Sequence, residues 1–282
     1  MSKKAFLVGI NRYKMPGSDL KGCINDVTNI RDILIKYFGF KVEEIRLLVD
    51  ERATKKAILE RLKWLVKDAK KGDRLLFHYS GHGSQVRDRD GDELKDHLDE
   101  ILCPYDMNWD GTYILDDELQ EVFSGMPEGI AVEVLLDSCH SGTGTREALG
   151  LQQLPEEIRY QARFLQPPAD ILARVDDGLP VQHLFKGTAI QNPIRGTATG
   201  VPGCLSLFAG CRDNQTSADA MIAGKYNGAF TYYFCKHLRD MKGEISRTNL
   251  LKRIRASLKY NQFEQIPQLE TSKAKKSKQL LE

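Results

Sequence analysis

Two short polar stretches, each closing an apolar run, carry the residues able to do chemistry. DSCHSG at 137–142 follows GIAVEVLL, and HYSGHG at 78–83 follows DRLLF. The first offers the Cys139 thiol beside the Asp137 carboxylate; the second offers the His82 imidazole. A free cysteine, with a pKa of about 8.5, is mostly protonated at neutral pH, so a nucleophilic thiol needs a polarising neighbour. An imidazole fills that role and then protonates a leaving amine. Gly81 and Gly83 frame His82, and Gly142 lies just past Cys139. Glycines there let backbone approach a ligand and present amide donors. Taken singly, such residues are ordinarily a satisfied loop histidine and a small buried cysteine, but two glycine-framed polar sites at strand ends are costly to keep unused. Other readings of these stretches are weaker. His78 and His82 have the spacing of a helical zinc pair, yet Phe77 and Tyr79 read as strand and no Glu follows His78 as HExxH requires. Ser141 lacks the first glycine of GxSxG. His140 adjoins Cys139 and in extended chain points to the opposite face.

The elements that must position these groups alternate along the chain. Strand-like runs at 5–10, 45–49, 74–79 and 131–136 are separated by segments of helical period at 23–38, 54–70 and 116–124. That rhythm predicts an α/β fold, a mostly parallel sheet with helices on both faces. In such a sheet, reactive groups gather outside the carboxyl ends of the strands. His82 and Cys139 both lie just past such ends, and the chain between them is long enough for a crossover that brings them to one cleft. From 143 to 203 the pattern loosens into a long exposed connection with one helical piece near 154–175. CLSLFAG at 204–210 reads as a further buried strand of the same sheet, and YNGAFTYYFCKHL and SRTNLLKRIRASLKY read as helices. The expected organisation is one domain over 1–282. A large portion spans 1–142, a linker 143–203, a smaller portion 204–270, and a basic, frayed tail 271–282.

Composition narrows the function. Hydrophobic residues at 41% and charged ones at 28% suit a globular chain with a sizeable core. The balance of 41 basic against 39 acidic side chains gives no electrostatic case for nucleic acid or a membrane surface as partner. Six cysteines without CxxC spacing read as reduced thiols. The apolar run after MSKK is too short for a signal peptide, and no stretch approaches a membrane span, so a cytoplasmic, soluble protein is the expectation. Neither GxGxxG nor GxxxxGK[ST] occurs, which sets a nucleotide-binding role aside.

The chain resembles the caspase-like cysteine peptidases, specifically the metacaspase branch with its bacterial members. The resemblance rests on FLVGINRY (6–13), LKGCINDV (20–27), HYSGHGSQ (78–85), DGDE (90–93), LDDEL (115–119), DSCHSG (137–142), CRDNQTSADA (211–220) and GAFT (228–231), and so spans roughly residues 1–240. SCHSG stands where animal caspases carry a QAC signature. The resemblance implies a caspase-hemoglobinase fold and a cysteine endopeptidase, with Cys139 as nucleophile, His82 as general acid/base, and the N–H groups of Gly83 and Cys139 as oxyanion hole. It also implies that Asp26 and Asp137 line the primary specificity pocket, with Cys23 and Ser80 nearby. On residues alone, Asp26 is equally an N-terminal helix cap and Asp137 a strand-end turn former. Two buried carboxylates repel unless a cation lies between them, and a guanidinium accepts both as partners. Cleavage after Arg, and less well after Lys, is therefore expected. A catalytically silent caspase-like interaction module is the competing class.

Two further expectations follow. The linker carries Arg146, Arg159, Arg163, Arg174, Lys186 and Arg195, each a site for self-cleavage if exposed. No cofactor is required, with calcium considered as an activator. DMNWDGTYILDD (106–117) meets the EF-hand pattern at Asp106, Asn108, Asp110 and Gly111 but ends in Asp117 where Glu is expected, and ILCPY ahead of it reads as strand. An Asx-rich turn fits better. The resemblance separately implies an acidic calcium cluster at Asp99, Asp116 and Asp117. Calcium-activated members also carry an acid seven residues after the nucleophile, where this chain has Arg146.

Overall fold

The computed structural model describes residues 1–87, 98–139, 160–173, 203–212 and 215–282. Its centre is a six-stranded sheet built from β1 (Lys3–Gly9), β2 (Ile45–Val49), β3 (Arg74–Ser80), β7 (Ala131–Asp137), β9 (Leu205–Ala209) and β12 (Gln268–Thr271), in the order β12-β9-β7-β3-β1-β2. Every neighbouring pair is parallel except β12 on β9. The near-continuous apolar runs seen in the sequence are what a sheet covered on both faces demands. Alternate residues of one strand feed different cores: Phe6 and Val8 pack on one side, Ala5 and Leu7 on the other.

Helices α1 (Cys23–Phe38), α5 (Ala229–Asp240) and α6 (Arg247–Tyr260) close the second face, while α2 (Lys55–Val66) and α3 (Asp116–Ser124) close the first. The Thr54 hydroxyl caps α2 by accepting from the Ala57 N–H, and Ile58, Leu62 and Leu65 turn inward. Gly39, in the left-handed region at φ 64°, ends α1 by returning its N–H to Leu34.

Three expectations need correction. The strands do not all join one sheet: β4 (Gly83–Arg87), β5 (Leu98–Leu102) and β6 (Ile114–Leu115) form a small antiparallel sheet, and β8 (Tyr160–Ala162), β10 (Ala218–Ile222) and β11 (Lys225–Gly228) form another. The expected helical piece at 154–175 is, where described, the strand β8 followed by a single turn, α4 (Ala169–Ala173). β8 exists because β10 accepts it as an edge partner, a tertiary pairing invisible to local periodicity. Nor is the C-terminus frayed. β12 seals the sheet edge, the short helix α7 (Lys273–Lys276) follows, and Leu280 and Leu281 are buried. Two buried charges hold this end: Arg247 Nε donates to Glu133 Oε1 at 3.0 Å, and the same oxygen accepts from the Leu281 N–H at 3.1 Å.

Candidate active site

The parallel register places the two candidate reactive residues at neighbouring strand ends. β3 and β7 pair from Arg74↔Ala131 to Ser80↔Asp137 with one constant offset along the chain. His82 and Cys139 are separated by that same offset, so each stands just beyond the last matched pair, on adjacent strands of one sheet edge. Both are buried. Past β3 the chain turns through Gly81, where an added Cβ would lie 2.7 Å from the hydroxyl oxygens of both Tyr13 and Tyr79. Those hydroxyls fix the turn: the His82 N–H donates to Tyr13 Oη, and Tyr79 Oη donates to the His82 carbonyl, each at 2.7 Å.

The His82 ring is oriented by the Ser18 carbonyl, 2.8 Å from Nε2. A carbonyl only accepts, so Nε2 carries the proton and Nδ1 holds the lone pair; Nδ1 is buried and makes no protein hydrogen bond. Burial lowers the His82 pKa to about 4, against the raising effect of that carbonyl, so the ring is neutral at pH 7. Burial likewise pushes the Cys139 thiol up, with Cys211 adding to it. The pair therefore rests as thiol and neutral imidazole.

The pocket residues also converge, around a cation the sequence did not lead us to expect there. Arg163, fully buried, directs Nη2 to Asp26 Oδ2 at 2.8 Å and Asp219 Oδ1 at 3.0 Å. Its Nη1 donates to Ser80 Oγ at 2.8 Å and lies 3.3 Å from Asp137 Oδ2. Asp137 is held in turn by Ser217 Oγ and by the N–H and hydroxyl of Thr231. Burial raises Asp26 to about 7 against the pull of the guanidinium, and Asp137 adds like-charge repulsion. Cys23 packs within the same electrostatic group, its thiol raised by burial and lowered by Arg163. Gly228 forms one wall, its N–H 3.0 Å from Asp26 Oδ1. A Cβ there would come within 2.5 Å of Arg163 Nη1 and press on the Asp137 carboxylate.

The backbone of Arg163 completes the arrangement. Its carbonyl oxygen accepts from the Gly83 N–H at 3.0 Å and the Cys139 N–H at 3.2 Å, the two donors expected to form an oxyanion hole. Its own N–H donates to the Ser217 carbonyl at 3.0 Å, extending the β8–β10 ladder. On the far side, Leu165 donates its N–H to the Gly83 carbonyl and offers its own carbonyl to Ser84 Oγ. Far from being part of an exposed linker, Tyr160–Leu165 runs as strand to Ala162, bends at the buried Arg163 and bridges to Gly83 at Phe164.

Asp219, Ser18 and Arg163 were missed as site residues. Asp219 carried a signal, a lone carboxylate among the small apolar residues of SADA. Ser18 acts through its backbone and carried none. His140, Ser141, Gly142, Arg146 and the remaining linker basic residues Arg159, Arg174, Lys186 and Arg195 lie outside the described residues.

The calcium candidates divide. Asp106 Oδ1 accepts from the Lys55 N–H at the start of α2, and Asn108 Oδ1 accepts from the N–H groups of Asp110 and Thr112, the Asx turn expected as the alternative to an EF-hand. Asp99 on β5 and Asp116 on α3 are both buried where those elements meet, with Asp117 adjoining. Among the described residues, no three Asp, Glu, His or Cys side chains are gathered closely enough to hold a metal ion. Among the described helices, none is long and apolar enough to cross a membrane.

Comparison with known proteins places this geometry. Residues 3–146 match the family model described as metacaspase, peptidase C14 domain. Metacaspase-1 of Schizosaccharomyces pombe is 34% identical over 295 residues, covering 96% of this chain and 67% of that protein. Metacaspase-1 of Ajellomyces capsulatus is 36% identical over 290 residues, covering 96% and 80%. Among solved structures, a Geobacter sulfurreducens protein superposes with a TM-score of 0.68 at 24% identity over the whole of both chains. Caspase-1 from Spodoptera frugiperda gives 0.58 at 13% identity, over 99% of this chain and 88% of that one, which supports the caspase-like fold. The family match, the two fungal relatives aligned over almost the whole chain, and a thiol and an imidazole at one sheet edge agree: the chain belongs to the metacaspases of peptidase family C14, cysteine-type endopeptidases.

Proposed function

We propose that this metacaspase cleaves peptide bonds after arginine, and less well after lysine, through a dyad of Cys139 and His82. The observation that carries the reading is Arg163, whose guanidinium is bound by Asp26, Asp219, Ser80 and Asp137 while its carbonyl oxygen lies between two N–H donors. In the reaction, Sγ of Cys139 attacks the carbonyl carbon as His82 Nδ1 takes the thiol proton. The N–H groups of Gly83 and Cys139 hold the oxyanion, a contribution of roughly 3–4 kcal/mol per donor in comparable sites. Collapse breaks the C–N bond, His82 returns the proton to the leaving amine, and a thioester remains. Water, deprotonated by His82, then releases the acid and restores the thiol. Lysine, a single ammonium, cannot engage both edges of the pocket as the planar guanidinium does.

Self-cleavage follows from the same geometry. Of the linker's basic residues, Arg163 is the one described in a substrate's pose, so the Arg163–Phe164 bond is the expected cut. The test is hydrolysis of Arg-, Lys- and Asp-terminated fluorogenic peptides by wild type, Cys139→Ala and Arg163→Ala, each with calcium and with chelator. Wild type should favour Arg and give a new fragment beginning Phe-Leu-Gln-Pro, while Cys139→Ala is inert and Arg163→Ala stays intact at that bond. Cleavage after Asp as good as after Arg, or activity surviving Cys139→Ala, would refute the reading. Calcium enters as a variable: dependence abolished by Asp116→Asn would assign the ion to the junction of β5 and α3.

A further inference from the structure

The strand lying in the cleft also carries information beyond its arginine. β8 pairs antiparallel with β10, Ala162 opposite Ala218 and Tyr160 opposite Ala220. Alternation along a strand sends Arg163 and Gln161 to one side and Ala162 and Tyr160 to the other. Gln161 reaches the Asp19 carbonyl and stays exposed, while Tyr160 turns onto the Phe263 ring, with centroids 6.1 Å apart and planes at 53°. Phe263 meets the buried Tyr233 at 6.4 Å and 65°, so the three rings form a tilted stack of the kind aromatic quadrupoles favour. The chain bearing Phe263 is pinned to β10: Gln265 accepts from the Ala218 N–H and donates to the Gly210 carbonyl, and Gln215 donates to the Glu264 carbonyl and accepts from the Ile266 N–H. Tyr160 lines one small pocket together with Gln215, Thr216, Ala218, Phe263 and Gln265.

We infer that Phe263, backed by Tyr233, is a second specificity subsite that takes an aromatic side chain three residues before the scissile arginine. This rests on reading Tyr160–Arg163 as a substrate mimic. Peptides in trans would add to β10 as an edge strand, main-chain hydrogen bonds giving affinity and alternate side chains giving selectivity. The preferred sequence is then an aromatic residue, two residues of lesser constraint, and arginine. Partial burial of one aromatic ring sets the expected preference at about tenfold.

The experiment compares kcat/KM for two N-acetylated coumarin amides, Tyr-Gln-Ala-Arg and Ala-Gln-Ala-Arg, using full-length wild type and Arg163→Ala, with calcium and with chelator. The tyrosine peptide should be about tenfold better, and Phe263→Ala should bring the ratio of the two peptides close to one. Equal kcat/KM for both peptides in the unsubstituted subsite would overturn the inference while leaving arginine specificity intact. So would a preference that persists in Phe263→Ala. Silence toward both peptides in wild type and Arg163→Ala would overturn the subsite together with the proposed function. The wild-type ratio decides the matter without any substitution at 263, so a folding defect in Phe263→Ala does not blunt the test.

Discussion

Asp219→Asn isolates one carboxylate around the Arg163 guanidinium, the proposed arginine pocket, without changing its shape. Asp219 Oδ1 is 3.0 Å from Arg163 Nη2, and the same carboxylate accepts from the N–H groups of Lys21 and Gly22 at 2.7 and 3.0 Å. Hydrogen bonds to a charged group contribute roughly 1.5–3 kcal/mol and neutral ones roughly 0.5–1.5, so removing the charge weakens guanidinium binding by about 1–2 kcal/mol. The amide also has one acceptor oxygen for three donors, which moves the expectation to the upper end of that range. At about 1.4 kcal/mol per decade, kcat/KM for Arg peptides should fall roughly 10- to 30-fold. The effect should enter mainly through KM, because Asp219 touches the side chain of the bound residue and not its carbonyl. The assay is steady-state hydrolysis of Arg- and Lys-terminated peptides, with circular dichroism melting as the fold control. An unchanged KM for Arg, in a variant that melts normally, would refute the three-carboxylate account of the pocket.

Other outcomes follow from the same contacts. Gly228→Ala places a methyl group against Arg163 Nη1 and the Asp137 carboxylate, so hydrolysis after Arg should fall at least about a hundredfold and the Arg163–Phe164 bond should survive on a gel. Asp26 lies at about 7 with the Arg163 guanidinium pulling it down and is higher when that cation is gone; in Arg163→Ala the inhibition constant of agmatine should therefore rise as pH falls towards about 7 and level off below it, and Asp26→Asn should flatten that slope. Arg247→Ala strands Glu133 in the sheet, and breaking one side of a buried pair costs about 3–5 kcal/mol; a Tm lower by about 10 °C in calorimetry is expected.

How much of this was legible in the sequence depended on which interactions were local. The strand ends, with the glycine-framed His82 and Cys139 just past them, could be read because apolar runs are closed abruptly by polar residues, and the interval between these two residues is the one between the paired strands. Asp26 and Asp137 were named through resemblance and the logic of paired carboxylates, which asks for a cation between them. That the cation was Arg163 was not legible: Tyr160–Leu165 fits a helix as well as a strand, and only the open edge of β10, far along the chain, decides between them. The C-terminus hid for a similar reason. Its lysines suggest a solvated tail, while its anchors are Leu280, Leu281 and an ion pair between Glu133 and Arg247. Glu133 interrupts an apolar strand, and a charge in such a place is a sign of a distant partner.

A ligand carried on the same chain does not dilute. The strand that fills the cleft is fastened through β10 and through Leu165, so its local concentration is set by its covalent tether, whatever the protein concentration. Hydrolysis at Arg163 would not by itself remove it: the guanidinium keeps its partners, and the new terminal carboxylate inherits the two N–H donors that held the carbonyl. The cut enzyme would then be its own competitive inhibitor, with turnover gated by how often Tyr160–Arg163 peels from β10. Apparent KM values for peptides would exceed intrinsic ones by the ratio of that local concentration to the product end's own dissociation constant, the same for every substrate. Dilution could not relieve this inhibition; lengthening the tether, or removing the arginine, would.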